Sequence, residues 1–485
     1  IRLSLVGSEM CIRDSYTVAE LKAIAGGTDA AITLNNTGVA LSGDATDLTT
    51  IFGENITTHT GTVTVTDGDY TVTELVAIAG GTTGQITLND NTVGLSGTVT
   101  DLNTIFSENF AAAHEGTVTI TNAVAYDIDK LKTINAGTTE AITLNDTTIA
   151  LSGDATDLAL ALAGTINHAG AITVTDTAYT VAELTAIAGG TSGQITFSDN
   201  TIALSGDATD LATIFGENLA AVHEGAVTVT DAAYTVAELK AIAGGTDGAI
   251  TLNDTTIALS GDATDLALAL AGTINHAGAI TVTDTAYTVA ELTAIAGGTS
   301  GQITFSDNTI ALSGDATDLA TIFGENLAAV HEGAVTVTDT AYTVAELKAI
   351  AGGTDGQITF SDNTVALSGD ATDLTTIFGE NLAATHEGAV TVTDTAYTVA
   401  ELKAIAGGTD GQITFSDNTI ALSGDATDLA TIFGENLAAT HEGAVTITDG
   451  DYTVAELKSI NDGTDGAITL NDRTCPLYTS PSPRD

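Results

Sequence analysis

Ala226–Asp231 reads Ala-Val-Thr-Val-Thr-Asp, and Tyr234–Leu239 reads Tyr-Thr-Val-Ala-Glu-Leu. The first stretch alternates β-branched apolar and hydroxyl residues, which suits a strand with one face buried. The second opens a helix. Thr235 and Glu238 have the spacing of a capping box, and Tyr234 and Leu239 that of a hydrophobic staple. The helix is expected to bury Val236, Leu239 and Ile242 and to stop at Gly244-Gly245, a pair suited to a left-handed C-terminal turn.

The following residues extend the pattern. Ala249–Leu252 and Thr256–Ser260 read as two further short strands, and Asp262-Ala263-Thr264-Asp265 caps a second helix running through Leu266. In the preceding copy, Leu211, Ile214 and Phe215 give that helix one apolar stripe. The order is therefore strand, helix, strand, strand, helix, in two halves of about 23 and 32 residues.

This order recurs along the chain. Tyrosine stands at 16, 70, 126, 179, 234, 287, 342, 397 and 452, and histidine keeps step at 59, 114, 168, 223, 276, 331, 386 and 441. A fixed period of about 55 residues marks a repeat array. Helices this short are marginal alone, so successive copies must stack to bury their apolar faces. The sequence predicts an α/β solenoid with largely parallel strands. The alternative is a row of small α+β beads, with Asp199-Asn200 forming a hairpin between two strands; the lack of linkers favours the solenoid. Residues 141–231 and 249–339 are identical. Such identity implies a recent duplication or a short-read assembly that looped over a repeat, and a chain that is a piece of something longer.

The two ends do not share the pattern. Met10–Asp14 can be encoded by ATG TGT ATA AGA GAC, and with Leu5–Glu9 the coding string resembles a widely used sequencing adapter. Tyr478–Asp485 is encodable by the reverse complement of much of the same element, with one departure at Pro476. Residues 1–15 and 474–485 are therefore read as adapter-derived tails, not native. Residues 16–473 are read as about eight repeats plus a partial one.

Both cysteines, the methionine and all three prolines fall in the tails, so no disulfide framework holds the body. The body keeps 60 carboxylates against seven lysines, a charge of about −53. Such a balance disfavours nucleic acid, whose phosphates require Lys and Arg, and anionic membrane surfaces. It suits solubility, divalent cations or a saline setting. No apolar run approaches the roughly 18 residues of a membrane helix.

Three repeated features are candidate sites. His331, His386 and His441, with Glu332, Glu387 and Glu442 beside them, could form a transition-metal ladder; the structural reading is a histidine at a helix-to-strand turn, packing or bonding to carbonyls. Asp339, Asp362, Asp370 and Asp373 could hold Ca²⁺; the structural reading is caps and turn formers. Thr228/Thr230, Thr336/Thr338 and Thr391/Thr393 form Thr-x-Thr faces that resemble ice-binding surfaces, though Thr also simply suits an exposed strand face. Nothing points to an enzyme. Every polar feature is copied along the array rather than gathered in one cleft, and no phosphate loop or HExxH is present. No catalytic residue and no resident cofactor is expected, Ca²⁺ apart.

At Val-Thr-Val-Thr-Asp-Thr-Ala-Tyr-Thr-Val-Ala-Glu-Leu, residues 335–347, the body resembles repeats of very large secreted or cell-surface adhesin-like and calcium-associated exoproteins of aquatic bacteria. The resemblance spans 16–473. It implies a surface-exposed spacer or adhesive stalk outside the cell, a monomeric rod whose partners are a surface ligand or neighbouring repeats. The glycine-rich calcium nonapeptide of many such proteins is absent.

Overall fold

The computed structural model describes residues 15–53, 56–122, 126–164, 166–272 and 274–471, with the backbone alone at 5–6 and 9–12. Residues 474–485 lie outside the described residues, and the backbone of Glu9–Ile12 pairs in parallel with Ile32–Leu34. The chain forms two compact parts, Ile1–Tyr234 with Ala241–Asn253, and Thr235–Lys240 with Asp254–Asp485.

Within each part the repeats form an α/β solenoid. In the second, the strands Leu312–Gly314, Val335–Val337 and Ile358–Phe360 make a three-stranded parallel sheet. Leu312 lies opposite Val335, and Val335 opposite Ile358, so each coil takes 23 residues. The helices Ala316–Gly324 and Val344–Gly353 occupy the intervening segments and pack on one another. Val335 and Val337 are fully buried, as are Leu319, Ile322, Leu347 and Ile350. Full burial of one such side chain contributes about 1.5–3 kcal/mol, and its partners come from adjacent coils.

The local signals form as expected. Thr343 N–H donates to Glu346 Oε2 at 2.8 Å, and Glu346 N–H donates back to Thr343 Oγ1 at 3.3 Å, closing the capping box. Thr235 and Glu238 do the same. Leu239 and Ile242 are buried, Val236 half-buried, and Leu211, Ile214 and Phe215 are buried together on one stripe.

Three expectations are refined or corrected. The two parts of about 23 and 32 residues are present, Val335 to Ile358 spanning the first and Ile358 to Val390 the second. The longer part resolves into a nine-residue step and, in this repeat, a second 23-residue coil. Ile358 ends one sheet and still bridges to Leu382, while nine residues later Leu367 opens the next sheet opposite Val390. The sheets are thus separate three-stranded patches at different positions on the coil. Second, Asp199-Asn200 forms no hairpin. It is the corner within that step, where Thr201 N–H donates to Asp199 Oδ1 at 3.0 Å and the flanking strands pair in parallel with other coils. The bead alternative falls with it.

Third, the Gly-Gly pair is no left-handed stop. Among the described glycines only Gly164 and Gly272 have positive φ. Gly353 ends its helix and Thr354 caps it in an extended conformation. Gly353 is needed for space, because a Cβ there would lie 2.6 Å from Phe323 Cβ of the preceding helix.

Candidate interaction surface

From Ile32–Leu34 onward, the outward side of each strand carries a hydroxyl residue between two inward apolar or small ones. Register aligns these hydroxyls across the sheet: Ser313 beside Thr336 beside Thr359, Ser205 beside Thr228 beside Thr251, and Ser368 beside Thr391 beside Thr414. A second row follows two residues on, where Thr338 N–H donates to the Gly314 carbonyl and Ser361 N–H to that of Val337, both at 2.9 Å. Thr230 and Thr393 are held likewise on Gly206 and Gly369. The strand spacing of roughly 4.8 Å and the two-residue rise of about 6.7 Å set the scale of each patch. Each patch ends after three strands, so the Thr-x-Thr faces do not join into one continuous row. Ser313 and Thr359 were not singled out from sequence. Their signal was the hydroxyl at the centre of Leu-Ser-Gly and Ile-Thr-Phe, the position Thr336 holds in Val-Thr-Val.

The four aspartates hold four separate positions. Asp339 accepts the N–H of Ala316 at 3.0 Å, capping a helix of the preceding coil. Asp362 accepts from Thr364 Oγ1 at 2.6 Å and Thr364 N–H at 2.9 Å, and these bonds hold its carboxyl below the ordinary aspartate range. The Asp362 carbonyl accepts the Tyr342 hydroxyl at 2.6 Å. Burial, then the Asp362 charge, pushes that phenol up to about 12. Asp370 caps its helix by accepting Asp373 N–H at 2.8 Å, and Asp373 is ion-paired with Lys348 of the preceding helix. Among the described residues, no three His, Cys, Asp or Glu side chains gather into a metal-holding group.

Each repeated histidine is buried in its own coil. The main chain of His386 is fixed by its own N–H on the Gly408 carbonyl at 3.0 Å and by Asp410 N–H on its carbonyl at 2.7 Å. Its ring donates from Nε2 to the Val365 carbonyl at 2.9 Å and packs between Phe378 and Phe360, with centroids 5.8 and 6.3 Å away. Burial pulls its pKa below the ordinary histidine value, while the Val365 bond and the charges of Asp362 and Glu387 oppose the shift. His331 lies between Phe323 and Phe305, and His441 between Phe433 and Phe415, in the same way.

Together these features define a tandem-repeat α/β solenoid with a hydroxyl patch on each sheet from Leu41–Gly43 onward. No protein-family model matches the chain, and no curated protein does. Among solved structures, the leucine-rich repeat-containing protein LegL7 from Legionella pneumophila is similar at 13% identity, covering 62% of this chain and 91% of its own, with a TM-score of 0.14. The leucine-rich repeat ectodomain of the Arabidopsis receptor kinase HAESA, solved with an N-terminal extended IDA peptide hormone ligand, is similar at 11% identity. It covers 95% of this chain and 86% of its own, with a TM-score of 0.16. At those scores the likeness adds nothing to the strand ladders themselves.

Proposed function

We propose that the chain is a non-catalytic structural or adhesive repeat region of a secreted or cell-surface protein, acting as an extended stalk or interaction surface. The observation that supports this reading is core sharing between coils. Val335 and Val337, with no exposure of their own, are sheltered by residues from neighbouring coils, as a stacked array requires. An acidic surface keeps such an array soluble outside the cell, and Ca²⁺ would relieve its self-repulsion. Small-angle scattering should give a radius of gyration well above the roughly 23 Å of a compact chain of this length. A value near that figure would overturn the proposal.

The registered Ser and Thr rows favour a second reading, a module that binds ice or a polysaccharide through the sheet faces. Replacing Thr336, Thr338 and their equivalents Thr228, Thr230, Thr391 and Thr393 by tyrosine should then abolish retention on ice or on a polysaccharide column. Unchanged retention removes this reading and leaves the stalk untouched.

A further inference from the structure

Beyond the sheet faces, a groove recurs where the loop after one helix meets the glycine end of the next. One groove of 610 Å³ is lined by Phe106, Glu108, Phe110 and Gly137. A second, of 190 Å³, is lined by Phe215, Glu217, Leu219, Val222 and Gly245. A third, of 330 Å³, is lined by Phe433, Glu435, Leu437 and Gly463. Each has an aromatic floor and one glutamate from a Gly-Glu-Asn or Ser-Glu-Asn turn. The two repeats with the shorter Gly-Thr-Ile-Asn loop have no such glutamate.

Two facts give this groove a partner chemistry. No described residue bonds to the carboxylates of Glu108, Glu217, Glu380 or Glu435, and burial raises their pKa values, with Asp355 adding to the effect at Glu380 and Asp410 at Glu435. Meanwhile all seven lysines are committed to ion pairs with aspartates, as in Lys348–Asp373 and Lys403–Asp428, and Lys132, which lines the Phe106 groove, is held by Asp129 and Asp157. Among the described residues, no lysine is therefore left unpaired to serve as counter-charge for these glutamates. Valine contributes apolar surface nearby, with Val222 45% exposed and its counterpart Val330 44% exposed. A glutamate beside apolar wall, joined in the third groove by the Asp462 carboxylate, falls short of the six to eight oxygens Ca²⁺ takes. It matches an ammonium or guanidinium on an aliphatic stem.

We propose that these grooves dock basic polypeptide segments, each taking one lysine or arginine side chain flanked by small apolar residues. Single sites of this kind are weak, and repetition every 55 residues or so makes the array multivalent for an extended basic partner. The inference is separate from the stalk reading: elongated scattering without peptide binding would keep the first and remove this one.

The test uses the full chain and a terminally blocked peptide of Lys-Val-Ser repeats, titrated by calorimetry at low salt. The wild type should bind it, and the same peptide with acetylated lysines should not bind. Changing Glu108, Glu217, Glu380 and Glu435, together with Glu325 of the equivalent Gly-Glu-Asn turn, to Gln should weaken binding at least tenfold. Where that variant loses its circular-dichroism signature, the single E380Q and E435Q variants should each lower the stoichiometry instead. V222S with V330S should weaken binding a few-fold. No binding by the wild type overturns the proposal. So does a five-site variant within twofold of wild type, or unchanged stoichiometry in the single variants, since diffuse attraction to the acidic surface would then account for everything. Displacement of the peptide by millimolar Ca²⁺, with Ca²⁺ itself bound in the grooves, would make them metal sites and overturn it as well.

Discussion

His168 and His386 occupy the same place in their repeats, and both are buried, yet their rings are held differently. At His168 the helix Ala155–Leu162 ends in leucine, and the loop to the histidine is two residues shorter, turning at Gly164 with φ 78°. Nε2 there donates to the Ile149 carbonyl at 2.7 Å, and Nδ1 lies 2.9 Å from Thr191 Oγ1. At His386 two phenylalanines flank the ring, Nε2 keeps its carbonyl, and Nδ1 has no partner. The threonine hydroxyl registers the difference. Thr409 Oγ1 donates to the His386 carbonyl at 2.8 Å, whereas Thr191 Oγ1 stands 3.4 Å from that of His168. A hydroxyl has one proton, and it goes to the ring where the ring can reach it. The coil fixes the histidine backbone; the neighbours filling the space decide what the ring does.

Both arrangements keep the imidazole neutral, which exposes the whole array to acid. Burial lowers the pKa of all eight histidines, and the backbone carbonyl bond opposes the shift only in part. A folded pKa below the unfolded value of about 6.5 means that the unfolded chain binds more protons. The stability these groups contribute is therefore complete above pH 6.5 and is lost as pH falls through it. Each histidine should remove at most about 1.4 kcal/mol per pH unit, the slope for one whole proton. The carboxylates held low by threonine bonds, such as Asp362 and Glu346, are shifted in the same direction, and the stability they contribute is lost only at more acid pH. Denaturant midpoints followed from about pH 7.5 to 5 should fall steeply. Constant midpoints over that range would contradict neutral burial in both kinds of pocket.

Much of this was legible from residues close in sequence. The Thr343/Glu346 box, the Asp370 cap and the apolar stripe of Leu211, Ile214 and Phe215 act within one helix, and the period revealed the stacking. What escaped depended on residues in different coils. The nine-residue step is set at the corner, where Asp362 receives Thr364 and Tyr342, and where Asn363 accepts from Glu387 N–H. Nothing in a three-residue strand announces that its sheet ends there. Gly353 looked like a conformational stop because its contact, Phe323, lies in the previous helix. The ring partners of His168 and His386 differ for the same reason.

Removing the threonine hydroxyl would sharpen the comparison of the two histidines. In Thr191→Val, the His168 ring loses its Nδ1 partner and Gly193 N–H loses its acceptor, which lies at 3.0 Å. In Thr409→Val, Gly411 N–H loses the equivalent acceptor at 3.0 Å and the His386 carbonyl loses one donor, but the ring loses nothing. Each variant should be destabilised by about 1–3 kcal/mol, the range for leaving a buried polar group unsatisfied. The difference between them should be only about 0.5–1.5 kcal/mol, one net hydrogen bond, so stability alone discriminates poorly. The ring nitrogens discriminate better. Nδ1 of His168 should move in its ¹⁵N shift toward that of a free acceptor in Thr191→Val, while Nδ1 of His386 stays put in Thr409→Val. Equal movement at both rings would mean that the two pockets share one hydrogen-bonding pattern after all, and that the flanking phenylalanines do not redirect the threonine proton.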